Sequence, residues 1–92
     1  MDTEQSEIVA LKALTFLAAD TELMDRFAAL SGVAPNDVIA RAGDGEMLAG
    51  VMDFLLSDEA VLTDFCAAND IDPEHPARAR QNLPGGDLPH WT

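Results

Sequence analysis

The sequence predicts an all-α protein, a compact bundle of about five to six short helices built from two similar three-helix units. Apolar residues recur at steps of three and four, and Asp, Pro, Gly and Ser stand where helices would begin and end. No stretch alternates apolar and polar residues for long enough to predict a strand. Hydrophobic residues make up 48% of the chain but aromatic residues only 5%, so the core is aliphatic, which favours helices over sheets.

The first predicted helix runs from about Thr3 to Ala18 and has two apolar faces. Val9 and Phe16, seven residues apart, form the narrower face. We therefore expect this helix to be covered on two sides and to lie at the centre of the bundle. The broader face consists of residues at three- and four-residue spacing: Ile8, Leu11, Leu14, Leu17 and Ala18.

Two shorter helices complete the first unit. Asp20 is the predicted N-cap of the second helix, which stops at Ser31-Gly32. Pro35 suits the first turn of a third helix over roughly 35–42, because proline needs no helical N–H partner there. The residues predicted to pack are Leu23, Met24, Phe27 and Leu30 in the second helix, and Val38 and Ile39 in the third.

The second unit follows the same order of signals. Asp44 caps the fourth helix, and Ser57 or Asp58 caps the fifth. Asp72-Pro73 places an N-cap and a proline at the start of a sixth helix, which runs to about Asn82. The apolar residues are Met47, Leu48, Val51, Met52, Phe54, Leu55 and Leu56 in the fourth helix, and Val61, Leu62, Phe65 and Cys66 in the fifth.

An internal repeat links the two units. When the chain is shifted by 38 residues, residues 16–35 align with residues 54–73 without a gap. The identical positions are the ones that a helical unit needs, namely caps, core residues and an entry proline. Two copies favour a closed bundle over an extended solenoid. The identical pairs are Phe16 and Phe54, Leu17 and Leu55, Asp20 and Asp58, Phe27 and Phe65, Ala29 and Ala67, and Pro35 and Pro73.

Residues 1–83 are predicted to form a single helical domain, with units at roughly 9–43 and 47–82, and residues 84–92 an extended Pro/Gly tail. The tail has no counterpart in the first unit and contains the only Trp, Trp91. A solvated Trp exposes a large apolar face, which favours a docked tail. Three alternatives are open: the tail packs on its own bundle, it docks on another copy or a different protein, or it is disordered.

The side chains offered for docking are the last bulky ones of the tail. The alanines of the last two helices are small enough to leave a groove that receives them. The predicted docking contacts are Leu88, Pro89, His90 and Trp91, and the receiving alanines are Ala67, Ala68, Ala77 and Ala79.

Charge excludes one large class of partner. The chain has 17 Asp and Glu but only five Lys and Arg, a net charge of −12, which would be repelled by nucleic-acid backbones and anionic membranes. The opening MDTEQSE lacks the basic and apolar regions of a signal peptide, and no apolar run approaches the roughly 20 residues of a membrane span. We expect a cytoplasmic protein whose partner is an unknown protein or another copy of itself.

Side chains with reactive or metal-binding chemistry are few and scattered. Cys66 is the only cysteine and is interpreted as a small core residue on an apolar helical face. His75 and His90 have no ligand spacing with it. Gly43–Glu46 lacks the alternating acids of a calcium loop and is interpreted as a helix stop and a turn. We predict no catalytic residue, no cofactor and no metal site.

Four segments carry a resemblance to a known family. They are LTFLA at 14–18, DFLLSDE at Asp53–Glu59, DFC at Asp64–Cys66 and the closing LPGGDLPHWT at 83–92. With these segments the chain resembles a small alphaproteobacterial family known as a domain of unknown function. The resemblance covers nearly the whole chain and implies a compact helical bacterial protein. It implies no catalytic or binding residues.

The main functional hypothesis is a non-catalytic protein–protein interaction or regulatory module that acts through an apolar groove and the tail. The absence of a recognisable chemical motif, the acidic composition and the Trp-containing tail favour it. The alternative is a small-molecule or metal-binding protein that uses a pocket between the two units. A third hypothesis, an acidic mimic of DNA, requires carboxylates arrayed along one face.

Overall fold

Helices account for the regular structure of residues 2–84, the part of the chain that the computed structural model describes. No strand occurs in this part, so the prediction of an all-α bundle is confirmed. The helices are α1 (Thr3–Ala18), α2 (Thr21–Ser31), α3 (Pro35–Ala40), α4 (Gly45–Leu56), α5 (Glu59–Asn69) and α6 (His75–Gln81).

Helix α1 lies at the centre of the bundle, where it packs against α2, α4, α5 and α6. Its predicted broad apolar face is only half correct. Leu14 and Leu17 are buried, but Ile8 is 46% exposed and Leu11 is 41% exposed. The neighbouring helices instead cover a stripe of small residues, because small side chains allow helix axes to approach closely. The small buried residues are Ser6, Ala10 and Ala13.

Aspartate caps set the starts of α2, α4 and α5, as predicted. The Asp20 carboxylate accepts hydrogen bonds from the backbone N–H groups of Glu22 and Leu23 at 3.0 and 3.3 Å. Asp58, rather than Ser57, caps α5, and Asp44 caps α4 through the Glu46 N–H at 2.9 Å. These carboxylates satisfy backbone donors that the first turn of a helix leaves unpaired.

The predicted start of the sixth helix is wrong. Helix α6 begins at His75, and Pro76 rather than Pro73 stands in its first turn. Asp72 forms a separate turn, in which its carboxylate accepts from the Glu74 N–H and its carbonyl accepts from the His75 N–H. Pro76 has no N–H to donate to the Asp72 carbonyl, so a regular α-helical bond cannot form there.

Helix α3 is shorter than predicted and is buried on one side only. It ends at Ala40 instead of at about residue 42, where the chain enters a turn. Val38 is fully buried, whereas its predicted partner Ile39 is half exposed. Helix α3 packs chiefly against α2, so only one of its faces is covered.

The sequence repeat is also a repeat of backbone geometry. Helices α2 and α5 have identical lengths at the 38-residue shift, and Asp58 accepts from Ala60 and Val61 as Asp20 accepts from Glu22 and Leu23. Both helices end in a left-handed residue at the same register. These residues are Gly32 at φ 75° and Asp70 at φ 53°.

Two aromatic contacts show how the units are related. Phe16 and Phe65 meet edge to face with ring centroids 5.6 Å apart, and Phe54 and Phe27 meet in the same way at 5.6 Å. Phe16 corresponds to Phe54 and Phe27 corresponds to Phe65. Replacing each residue by its counterpart in the other unit therefore converts one contact into the other, as expected for a two-fold relation. The units form an internal pseudo-dimer through α1, α2, α4 and α5.

The pseudo-two-fold relation does not extend to the third helix of each unit. Helix α6 packs against both α1 and α4 at the centre of the bundle, whereas α3 packs chiefly against α2. The two units therefore have equivalent inner helices but differently placed third helices. This difference gives the two sides of the molecule different surfaces.

The left-handed residues Gly32 and Asp70 make a paired prediction. A Cβ at Gly32 would meet no atom within 4 Å, so Gly32→Ala should destabilise only through backbone strain, by about 1–2 kcal/mol. Asp70→Gly should instead raise the free energy of unfolding, by up to about 1 kcal/mol, because it removes strain and a negative charge at a helix C-terminus. Urea unfolding monitored by far-UV circular dichroism measures both. A loss of stability in Asp70→Gly would contradict the geometric equivalence.

Candidate functional site

A groove of about 450 Å³ lies between the two units, and we call it the α2/α4 groove. Its walls come from α2 and the turn after it, from the turn before α4, and from one face of α4. The lining residues are Phe27, Leu30, Ser31, Val33, Arg41, Asp44, Glu46, Met47, Gly50, Asp53, Phe54 and Ser57.

The floor of the α2/α4 groove is apolar and is open at Gly50. The edge-to-face pair of Phe27 and Phe54 lies at its base. A Cβ at Gly50 would stand 3.9 Å from Phe27 Cζ, an ordinary contact distance, so a side chain there would project over the floor without strain. Leu30 on the wall is 78% exposed. An exposed leucine beside a concave aromatic floor is typical of a binding surface.

Charged groups surround the rim of the α2/α4 groove, and several already have structural partners. Asp53 accepts hydrogen bonds from Arg80 Nε at 2.6 Å and Nη2 at 3.3 Å, a bidentate pair. Asp44 caps α4, and Glu46 lies one residue inside the same helix. Arg41 contributes a positive charge to the rim. With Asp53 paired, the remaining rim charge is net negative.

The described chain ends against the start of α4. A Cβ at Gly45 would lie only 3.2 Å from Pro84 Cγ, so the Pro84 ring covers the first residue of α4. Arg80 Nη1 donates a hydrogen bond to the Pro84 carbonyl at 2.9 Å, and the same guanidinium holds Asp53 on the groove wall. Two contacts therefore fix the position from which the chain continues.

A second groove of about 420 Å³ is the pseudo-two-fold equivalent of the first, and we call it the α1/α5 groove. Shifting its residues by 38 positions turns seven of the eight into residues of the α2/α4 groove. Leu30 is replaced by Ala68, and Gly50 by Lys12. The α1/α5 groove therefore has a smaller wall and a charged side chain at the open position. Its lining residues are Ile8, Leu11, Lys12, Thr15, Phe16, Ala19, Ala68 and Asn69.

An ion pair joins the two units beside the Phe54 ring. Arg26 Nη2 donates to Asp58 Oδ2 at 3.0 Å, and its guanidinium carbon lies 5.7 Å from the centre of the Phe54 ring. The hydrogen bond from Arg26, followed by that from the Val61 N–H, lowers the pKa of the Asp58 carboxyl. Arg26 thus connects α2 to the cap of α5 and to the groove floor.

The candidate nucleophile Cys66 is buried, in agreement with its interpretation as a core residue. Burial, followed by the charge of Asp72, raises the pKa of the Cys66 thiol. A raised pKa keeps the sulfur protonated, whereas a reactive cysteine needs the thiolate. Cys66 therefore belongs to the packed core of the bundle.

The described residues bring together no ligand set for a metal ion. Within residues 2–84, no group of three or more His, Cys, Asp and Glu side chains is placed to hold one. Gly43–Glu46 forms a turn followed by the start of α4, as interpreted. His75 is half-buried at the start of α6, and His90 lies outside the described residues.

The predicted docking contacts lie outside the part of the chain that is described. They are Leu88, Pro89, His90 and Trp91. The receiving site predicted in the alanines stays a prediction, because the tail lies outside the described residues; Ala79 itself is fully buried. Of the four alanines, Ala68 lines the α1/α5 groove. The sequence shows that these residues are small, but it does not show which of them a neighbouring helix covers.

No helix within residues 2–84 is long and apolar enough to cross a membrane. The fold and the grooves together define a small all-α protein with an internal pseudo-two-fold relation and a groove on either side. The chain belongs to the family described as "Protein of unknown function (DUF3572)", whose sequence model matches residues 3–86. Comparison with curated proteins and with solved structures found no significant match. The family match stops before Leu88 and Trp91.

Proposed function

We propose that this protein is a non-catalytic interaction module whose α2/α4 groove receives a bulky apolar side chain of a partner protein. The observation that carries the proposal is the 78% exposure of Leu30 beside the Phe27–Phe54 floor. Buried aromatic and aliphatic anchors supply most of the binding energy in such interfaces. Gly50 leaves the floor open to an incoming side chain.

The negative charge at the rim of the α2/α4 groove favours a partner that is positively charged. The rim carboxylates Asp44 and Glu46 outnumber Arg41, and the chain as a whole has a net charge of −12. A partner segment with Lys or Arg beside its apolar anchor would be attracted, and its association would be accelerated at low ionic strength. The same charge supports the exclusion of nucleic acid and anionic membranes as partners.

The roles of the rim acids support binding rather than catalysis. Asp44 caps a helix, and Asp53 is paired with Arg80, so both carboxylates serve the fold. The raised pKa of the buried Cys66 thiol favours the protonated form, which is a poor nucleophile. We accordingly propose a protein without enzymatic activity, located in the cytoplasm. We also propose that the protein is of alphaproteobacterial type and that the Pro/Gly tail is a feature of its family.

A small molecule is the second candidate occupant. The volume of the α2/α4 groove, about 450 Å³, lies within the range of small-molecule pockets, about 300–1,000 Å³. The groove lies between the two units, where the alternative hypothesis places its pocket. Mass spectrometry of protein purified without added ligand would detect a stoichiometric compound. Displacement of that compound in a Gly50→Leu variant would favour the small-molecule function.

Peptide selection tests the interaction function. A displayed library of random peptides is selected on the full-length protein, on Gly50→Leu, which fills the α2/α4 groove, and on Lys12→Leu, the matched change in the α1/α5 groove. We expect the enriched peptides to combine Leu, Phe or Trp with Lys or Arg. They should bind the wild type and Lys12→Leu equally but lose at least about tenfold in affinity on Gly50→Leu, equivalent to 1.4 kcal/mol.

Circular dichroism shows whether each variant is folded, and Leu30→Ala provides a second groove variant with an exposed substitution. The proposed function is overturned if no peptide is enriched. It is also overturned if the enriched peptides are acidic, or if they bind Gly50→Leu as well as they bind the wild type.

A further inference from the structure

A stripe of exposed residues runs along one side of the central helix α1. Its members recur at steps of three and four, so they lie on one side of the helix. Helices α2, α4, α5 and α6 pack on the rest of α1 but leave this side exposed. Two members are large and apolar, Ile8 at 46% exposure and Leu11 at 41%. The members of the stripe are Glu4, Glu7, Ile8, Leu11, Lys12, Thr15, Ala18 and Ala19.

The stripe has the pattern of a two-stranded coiled coil over about two heptads. Ile8 and Thr15, which are both β-branched, occupy a positions. Leu11 and Ala18 occupy d positions. In parallel pairs of helices, β-branched residues at a with Leu at d favour two strands. Glu4 falls at the preceding d position, where two carboxylates would meet, so the apolar contact begins after it.

The charges that flank Ile8 and Leu11 are complementary to those of a second copy of the chain. Glu7 precedes Ile8 at position g, and Lys12 follows Leu11 at position e. In a parallel pair, a g residue faces the e residue five positions later on the other helix, so Glu7 of each copy faces Lys12 of the other. Lys12 is the only lysine of the chain. The ion pairs formed within residues 2–84 involve neither Glu7 nor Lys12, so both side chains are available.

The α1/α5 groove gives a second helix room beside α1. Five members of the stripe line this groove: Ile8, Leu11, Lys12, Thr15 and Ala19. Helix α5 contributes only Ala68 and Asn69 to the lining, so its wall is low. Small side chains on the wall allow the axis of an incoming helix to approach closely.

We propose that α1 pairs in parallel with α1 of a second copy of this chain, with Ile8 and Leu11 at the centre of the contact. An ion pair between Glu7 and Lys12 lies on each side of it. The contact covers residues 7–19, about 20 Å of helix, which is short. Each copy also carries a net charge of −12, which opposes association. The dimer is therefore weak, and its population depends on the protein concentration.

The dimer is independent of the proposed function. No residue of the α1 contact lines the α2/α4 groove, so each copy keeps its own groove for a partner. A partner with two binding segments would then gain affinity from the pair of grooves. If the dimer is not found, the binding function of a single groove stands.

Sedimentation velocity of the full-length protein, from low micromolar to near-millimolar concentration, measures the association. We expect the wild type to shift from monomer to dimer as the concentration rises. Leu11→Glu places a charge at the centre of the contact and should weaken dimerisation by at least about tenfold, equivalent to 1.4 kcal/mol. Leu30→Glu adds the same charge at the α2/α4 groove and should leave dimerisation unchanged. Circular dichroism shows whether each variant is folded.

Charge reversal tests the parallel register. Lys12→Glu and Glu7→Lys each place like charges opposite one another in both flanking pairs, and each should weaken dimerisation by about tenfold. Glu7→Lys is the sharper test, because it makes the chain less negative and would strengthen association if net charge alone mattered. An equimolar mixture of the two variants should regain the wild-type affinity, since every flanking pair again joins Glu and Lys.

Four results would overturn the proposal. The wild type could remain a monomer at every concentration, or folded Leu11→Glu could dimerise as the wild type does. Leu30→Glu could lose dimerisation as Leu11→Glu does, which would place the contact at the other groove. Finally, the parallel pairing is wrong if the single charge variants keep the wild-type affinity, or if their mixture fails to regain it while both are folded.

Discussion

Replacing Phe65 by alanine is expected to lower the free energy of unfolding by about 3–5 kcal/mol. Phe65 is fully buried and meets Phe16 edge to face across the interface between the units. Its removal leaves a cavity and breaks one of the two equivalent aromatic contacts. Because a domain of this size has a total stability of about 5–15 kcal/mol, the variant loses a large share of it and should unfold at a much lower urea concentration than the wild type. Urea unfolding monitored by far-UV circular dichroism measures the change.

Leu30→Ala is the control for this prediction. Leu30 also belongs to a helix, but it is largely exposed, so its truncation should change the free energy of unfolding by no more than about 0.5 kcal/mol. If both variants had similar stabilities, the placement of Phe65 in the core would be wrong.

Leu17→Ala and Leu55→Ala are expected to destabilise by similar amounts, each about 2–5 kcal/mol. Both leucines are fully buried, and they occupy equivalent positions in α1 and α4. The cost of such a truncation depends on how far the surroundings can collapse into the cavity. The pseudo-two-fold relation gives the two sites similar inner neighbours, so the two costs should be similar. Paired urea unfolding curves of the variants provide the measurement.

The two leucine variants also test how deeply the pseudo-two-fold relation extends. A large loss of stability in one variant and a loss near zero in the other would show that the repeat of backbone geometry does not include the core packing. Helix α6, which packs against both α1 and α4, would then dominate one of the two sites.

Much of the local structure could be predicted from the sequence. The limits of α1 and α2 and the caps at Asp20 and Asp44 agree with the structure. These features depend on a few adjacent residues, because a cap is a carboxylate placed two or three residues before a free N–H. The same capping rule predicted that a helix starts at Asp72-Pro73. That helix starts at His75 instead, because Pro76 has no N–H to donate to the Asp72 carbonyl.

The candidate site could be predicted only in outline. An apolar groove and a pocket between the units were both expected, but none of the alanines predicted to receive the tail lines the α2/α4 groove. Leu30 was predicted to be buried and is instead an exposed wall of the α2/α4 groove. The one available signal was the repeat, which aligns Leu30 with Ala68 and Gly50 with Lys12. These differences at otherwise matching positions distinguish the two grooves.

The sequence by itself determined most of the helices, the caps of α2, α4 and α5 and the existence of two similar units, because these follow from short-range hydrogen bonding and from apolar spacing. Only the tertiary structure decided that the units face each other across a pseudo-two-fold relation, and which side of each helix is covered. Burial depends on which helices approach and how closely, and small residues such as Ala10 and Ala13 set that approach in α1. The same packing leaves Ile8, Leu11 and Leu30 exposed beside the grooves.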